Sequence, residues 1–290
     1  MKRLLKLTIV FLVVMVVAIV AVTLYLLRDR SLSRLQQKGI IRIGYAVEAP
    51  YAFLKENGEV TGESPEVAKW IVARLGIRSI NWWQSELGLL VSELESGHFE
   101  VIAAGMFITL KRSQHVSFSE PTFHVRQGML VAKGNPRQIH SYQQAVKETD
   151  YKIAVIKDAV EEALLLRLGA LEHQLVLVPD ALPGRVAVES GIADGLALSS
   201  PAIQWMALHE QLGKTEMATP FEQSELALKE RFGFGAFAFR KNDRQLLSAW
   251  NEVQKSFIGS AEHQKSVSEF GFSSVELPGA VTTEEVLSQP

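Results

Sequence analysis

The sequence predicts an α/β protein of two similar lobes, preceded by one N-terminal transmembrane helix. Three observations predict it. An uncharged run of bilayer length opens the chain, two motifs recur in the same order in its two halves, and strands alternate with helices in between.

The first element is the apolar run. After Lys2, Arg3 and Lys6, no charge occurs from Leu7 to Leu27. At about 1.5 Å per residue such a helix spans about 31 Å, the hydrocarbon thickness of one bilayer. A cleavable signal peptide would carry an apolar core of roughly 7–15 residues and a small-x-small site. This run is longer and ends in Tyr25-Leu-Leu-Arg-Asp-Arg30 without one. The leading reading of residues 1–30 is therefore an uncleaved single-pass anchor in the cell membrane; a signal peptide and a buried core helix are the alternatives. Arg28 and Arg30 partly balance the N-terminal cations, and the preferred orientation puts the N-terminus inside and the body outside. The polar stretch Asp29 to Lys38 reads as a short stalk.

The body follows. Arg42-Ile-Gly-Tyr-Ala-Val-Glu-Ala49 lines up with Lys152-Ile-Ala-Val-Ile-Lys-Asp-Ala159: a basic residue, a short apolar strand, then an acid and an alanine. Leu94-Glu-Ser-Gly97 and Val188-Glu-Ser-Gly191 each end an amphipathic helix at glycine before another strand. Between them Ser64 as N-cap, Pro65, the apolar Val67, Trp70, Ile71 and Leu75, and then Gly76 describe a helix. This alternation predicts largely parallel sheets with ligands bound beyond the carboxyl ends of the strands. The loops after Tyr45, Ala104, Ile156 and Leu198 then surround one site. The expected division is residues 37–131 with 239–279 as lobe 1, 132–238 as lobe 2 and 280–290 as a loose tail. The chain crosses outward near Met129 to Lys133 and returns through Gly233 to Phe239, two crossovers suited to a hinge. A helix from about Arg244 to Ile258 packs back on lobe 1.

Composition narrows the functions. The net charge is −2, and residues 1–30, with five Lys or Arg and one Asp, leave −6 on the rest. No basic field is present to hold nucleic acid. The absence of cysteine removes disulfides, thiol nucleophiles and a lipidated cysteine anchor. No phosphate-binding loop, nucleophile elbow or zinc-protease motif occurs, and the seven histidines show no metal-ligand spacing. No catalytic residue, metal or cofactor is expected.

The strand-end segments Glu48-Ala-Pro-Tyr, Gly62-Glu-Ser-Pro-Glu-Val-Ala68, Val101-Ile-Ala-Ala-Gly-Met-Phe-Ile-Thr109, Phe118-Ser-Glu-Pro121, Gly134-Asn-Pro136, Gly235-Ala-Phe-Ala-Phe-Arg240 and Phe270-Gly-Phe272 carry a family resemblance. The sequence resembles the bacterial extracellular solute-binding proteins of family 3 from about residue 37 to 279, and within them the ectoine and hydroxyectoine receptors of ABC importers. The resemblance implies a type II periplasmic-binding-protein fold with hinge crossovers, an extracytoplasmic binding domain, a small zwitterionic ligand, and permease and ATPase subunits as partners.

It also implies roles. Arg112 would bind the ligand carboxylate, as a guanidinium fork is shaped to do. Glu48 would face the cationic end, and Tyr51 and Phe107 would stack on a delocalised cation. Ser199 stands where amino-acid receptors of the family carry an aspartate, which disfavours simple amino acids. Leu87 stands where ectoine receptors have a third ring, with Trp82 or Trp83 as possible replacements. Glu161 would meet cationic ligand surface. Each residue has a plainer alternative: Arg112 a surface arginine, Tyr51 and Phe107 core rings, Glu48 a solvated loop acid, Glu161 a first-turn helix acid. Two other functions use the same architecture: a membrane-anchored sensor, and a cyclohexadienyl dehydratase-like lyase with Glu48 as the acid or base.

Overall fold

The computed structural model describes residues 29–209, 212–229 and 231–288, together with Leu12, Met15 and Val16. The N-terminal apolar run lies outside the described residues except for those three, which are helical and exposed. Among the described residues no helix is long and apolar enough to cross a membrane.

Two five-stranded sheets form the body, and they share one plan. In the first, the order is Ser79–Gln84, Ile40–Tyr45, Val101–Ile102, Ala238–Arg240, Val116–Phe118. In the second it is Leu175–Val178, Ile153–Ile156, Gly195–Ser199, Gln127–Ala132, Thr215–Met217. The first three strands of each sheet run parallel, and the fourth is antiparallel to both its neighbours. The internal similarity in sequence therefore marks equivalent strands. Helices Leu90–Glu95 and Ala181–Glu189 precede equivalent third strands, and Gly97 and Gly191, at φ 80° and 73°, turn the chain out of them.

Three local expectations change here. Gln127–Ala132 hydrogen-bonds wholly within the second sheet, so its pairing assigns it with residues after 132 rather than with lobe 1. The two crossing segments touch earlier, where Phe123–His124 pairs antiparallel with Phe234–Gly235. The helix expected to have Ser64 as its N-cap begins at Glu63, with Gly62 at its N-cap. Ser64 instead donates its hydroxyl to Glu63 Oε2 at 2.7 Å and accepts the Gly105 N–H at 3.0 Å, tying this helix start to the loop after Val101–Ile102.

The stalk is a docked helix, Ser31–Lys38, with Leu35 buried. Helix Arg244–Phe257 lacks a side-chain cap of its own at Asp243. Its first N–H groups are met from the chain's other end: the Asp29 carboxylate accepts from Gln245 N, and Ser31 Oγ accepts from Leu246 N at 3.1 Å. That helix packs on the first sheet through Trp250, whose ring lies edge-on to Phe237 and Phe239. The tail is docked too. Thr282 and Glu285 form a capping box on helix Thr283–Leu287, Val286 is buried beside Ile108 and Phe118, and Thr283 N donates to Glu120 at 2.9 Å.

Candidate functional site

The loop after Ile40–Tyr45 folds on itself. Glu48 N donates to Ala52 O at 2.8 Å and Tyr51 N to Glu48 O at 2.9 Å, which fixes Glu48 at the carboxyl edge of the sheet. Ser64 N and Glu63 N donate to Tyr51 O and Pro50 O, so this loop rests on the start of helix Glu63–Arg74. Tyr51 is thereby placed with its ring over Gly105, among Phe107, Phe123 and Phe272 at centroid distances of 6.4, 5.1 and 5.6 Å. A Cβ on Gly105 would stand 2.5 Å from the Tyr51 ring, and its φ of +62° also suits glycine. The Tyr51 hydroxyl reaches across to the second sheet and donates to Ser199 Oγ at 2.9 Å.

The segment after Val101–Ile102 carries Phe107 and Arg112. Phe107 bridges to Gly235, and Thr109 Oγ1 caps the short helix Leu110–Ser113 by accepting from Arg112 N at 3.1 Å. The Arg112 guanidinium donates to Phe107 O at 3.0 Å and, across the cleft, to Asp158 O at 3.4 Å. Both bonds are to neutral carbonyls, so the fork is oriented while its charge remains available for a ligand. Burial pulls the Arg112 pKa down, opposed by the charges of Glu161, Glu48 and Asp158.

Glu161 opens helix Val160–Arg167 on the second lobe and is buried. Its neighbour Glu162 takes the Asp158 N–H at 2.6 Å. Burial pushes Glu161 up to about 7, against the hydrogen bond from its own backbone N–H and the pull of Arg112. Glu48 is pushed up to about 8 by burial first and the Glu161 charge second, again opposed by Arg112. It keeps partial solvent contact through the cleft. Desolvation disfavours the charged form of each carboxyl, and two such groups near one another strengthen the effect.

All six expected residues thus meet between the lobes: Glu48, Tyr51, Phe107 and Arg112 from one side, Glu161 and Ser199 from the other. Two cavities open along the same seam. One, of about 270 Å³, lies between Glu48, Gln84 and Leu87 on one side and Ile156, Pro179 and Asp180 on the other. A second, of about 750 Å³, runs past Phe107, Arg112, Asp158 and Val160. Leu87 lines both and supplies no ring. Trp83 stacks on His98 at 5.3 Å, while half-buried Trp82 meets Tyr45 edge-on, so both rings have partners within lobe 1.

Sequence reasoning missed three features. Asp158 contributes its backbone carbonyl, which no side-chain pattern reveals. Glu63 is a buried carboxyl behind Tyr51, pushed up to about 7 by burial, with Oε1 lacking a hydrogen-bond partner; in sequence it reads as an ordinary first-turn acid. Phe53 packs on Trp205 of the second lobe at 5.3 Å, a contact between distant segments with no local signature.

A two-lobed α/β body whose facing strand ends gather an arginine, two carboxyls and two aromatic rings defines a solute-binding clamshell. The sequence profile of the bacterial extracellular solute-binding proteins, family 3, matches residues 41–272, and the chain belongs to that family. It is 31% identical over 244 residues to a probable amino-acid ABC transporter periplasmic-binding protein of Sinorhizobium fredii, covering 83% of this chain and 80% of that one. The crystal structure of EhuB in complex with hydroxyectoine superposes with a TM-score of 0.79 at 27% identity, covering 89% of this chain and 98% of that chain. An ancestral amino acid-binding protein described as a precursor of cyclohexadienyl dehydratase shares the fold, at a TM-score of 0.70, 23% identity, and coverage of 83% and 98%.

Proposed function

We propose that this chain is the substrate-binding receptor of an ABC-type importer for a small solute that combines a carboxylate with a cationic nitrogen. Ectoine, hydroxyectoine or a polar amino-acid derivative fits that description. The observation that carries the reading is the gathering in one cleft of the Arg112 fork with Glu48 on its own lobe and Glu161 on the other, with Tyr51 bonded directly to Ser199 of the other lobe. Arg112 takes the carboxylate, Glu48 the cationic end, and Tyr51 and Phe107 border the ligand. No bond is broken. Ligand bridging both lobes favours the closed form, and the permease reads that population shift. The expected units of closure, residues 37–131 with 239–279 and residues 132–238, shift at one boundary, so that Gln127–Ala132 belongs to the second unit. The apolar run from Leu7 to Leu27 anchors the receptor, so carbonate extraction of membranes should leave it in the pellet with Met1 intact.

The test is titration calorimetry of the full chain in detergent against ectoine, hydroxyectoine, proline betaine and polar amino acids. One of them should bind, and Arg112→Ala should weaken it about 100-fold or more, since truncating one partner of a buried charge pair costs about 3 kcal/mol. Binding that ignores Arg112→Ala contradicts the reading. A lyase reading draws on one observation: with its pKa near 8, Glu48 holds a proton at neutral pH as a general acid does. Turnover of a prephenate-like substrate that Glu48→Gln abolishes would favour it.

A further inference from the structure

The uncharged N-terminal run joins the body with almost no slack. It ends at Leu27, and Asp29, two residues later, already accepts from Ser31 N at 2.8 Å and from Gln245 N. Two residues reach at most about 7 Å. Helix Ser31–Lys38 then leads directly into strand Ile40–Tyr45, while helix Arg244–Phe257 starts just after strand Ala238–Arg240, which runs the opposite way in the same sheet. The two helices therefore meet at the amino edge of the first sheet, the edge away from the cleft. At about 3.3 Å per residue, the six residues of Ile40–Tyr45 put that edge about 20 Å from the loop that carries Glu48 and Tyr51.

That edge is basic, although the chain after residue 30 carries a net charge of −6. Arg30, Arg34, Lys38, Lys241 and Arg244 are all exposed on it. Neither Ser31–Lys38 nor the first two turns of Arg244–Phe257 contains an acid. The carboxylates nearby are turned inward: Asp29 onto two backbone N–H groups, Asp243 onto Arg240 at 2.7 Å, and Glu100 onto Arg42. Arg34 acts on the charges of both Asp29 and Asp243, which places it beside the junction of the two helices.

We propose that this face rests on the bilayer: Arg30, Arg34, Lys38, Lys241 and Arg244 bind anionic lipid headgroups and hold lobe 1 upright, with the cleft on the side away from the membrane. The inference rests on the anchor reading of Leu7 to Leu27 and is separate from the choice of ligand. With that run across the bilayer, Asp29 lies within a Debye length of the lipid surface, about 10 Å at physiological salt. Cations held so close to a membrane are drawn to anionic lipid. Lobe 1 is then the fixed part during closure, and lobe 2 is the part that swings.

The test uses the full chain in nanodiscs, either of phosphatidylcholine alone or of equal parts phosphatidylcholine and phosphatidylglycerol. A fluorophore is attached at Asn242→Cys, within the face, or at Ile192→Cys, on the second lobe; both positions are exposed and the chain has no other cysteine. Quenching by a lipid with a nitroxide on its headgroup is then measured. In the phosphatidylglycerol discs the Asn242 label is expected to be quenched about threefold more than the Ile192 label, or better. That excess should fall by about half or more in phosphatidylcholine alone, in high salt, and in the variant Lys38→Gln/Lys241→Gln/Arg244→Gln. The lipid and salt comparisons leave the face unaltered, and an unchanged thermal melt shows that the triple variant folds. Equal quenching at the two sites overturns the inference, as does an excess that lipid charge and the triple variant leave unchanged. A chain that carbonate strips from membranes removes the anchor reading and this inference with it, while Arg112-dependent ligand binding would still stand.

Discussion

Glu63 shows how a single side chain couples the cleft to the body of the protein. Its Oε2 accepts from Ser64, its Oε1 has no hydrogen-bond partner, and Tyr51 lies close enough to feel its charge. Burial lifts its pKa from 4.5 to about 7. The folded protein therefore holds this proton over a pH range in which the unfolded chain has released it, and stability falls as pH rises from about 4.5 to about 7. Glu63→Gln, which cannot ionise, should flatten that part of the stability profile and gain up to about 3 kcal/mol at pH 8 over the wild type. Denaturant unfolding at pH 5 and pH 8 checks this; an unchanged pH slope would contradict it. At this scale the sequence is informative for residues with a distinctive chemical task, such as Arg112 beside a strand end. It is silent on Glu63, because a first-turn acid in solvent and one sealed behind a tyrosine look alike until the fold buries one of them.

Among elements, the misread segments are those whose partners lie far away in sequence. Residues 29–38 and 280–290 are polar and short, and locally they resemble linkers. Each is fixed by a distant partner: Asp29 and Ser31 by the uncapped start of helix Arg244–Phe257, Thr283 by Glu120. Ser31→Ala should lower stability by about 1 kcal/mol, the usual loss on removing a cap, measurable as a shift in the denaturation midpoint. The loop after Val101–Ile102 is less forgiving. Gly105→Ala places a methyl against the Tyr51 ring at a left-handed φ, so it should cost at least about 1 kcal/mol of stability and displace the Tyr51 hydroxyl from Ser199. Ligand affinity should fall with it, and an unaltered affinity in a folded Gly105→Ala protein would show that Tyr51 has no role in the cleft. Helix ends written locally, such as the stops at Gly97 and Gly191, were readable because their signals sit within a few residues.

The repeat of one strand plan in two sheets was legible because short motifs kept their order in both halves, and it is the feature from which the whole molecule follows. What the sequence could not display is how the halves meet: the Tyr51–Ser199 bond, the Arg112–Asp158 bond and the Phe53–Trp205 packing all join distant segments across the cleft. These contacts describe a closed clamshell, and the central claim is that ligand selects it from a more open one. The chain has no cysteine, so Asn57→Cys with Ile192→Cys, one exposed site in each lobe, can carry spin labels without background. Pulsed electron–electron distance measurement on that pair, with and without a saturating ligand identified by calorimetry, is the most direct test. The account predicts a narrow distance distribution with ligand and a distinct, broader one without it, with Arg112→Ala retaining the unliganded distribution in both samples. A distribution that saturating bound ligand leaves unchanged would contradict it.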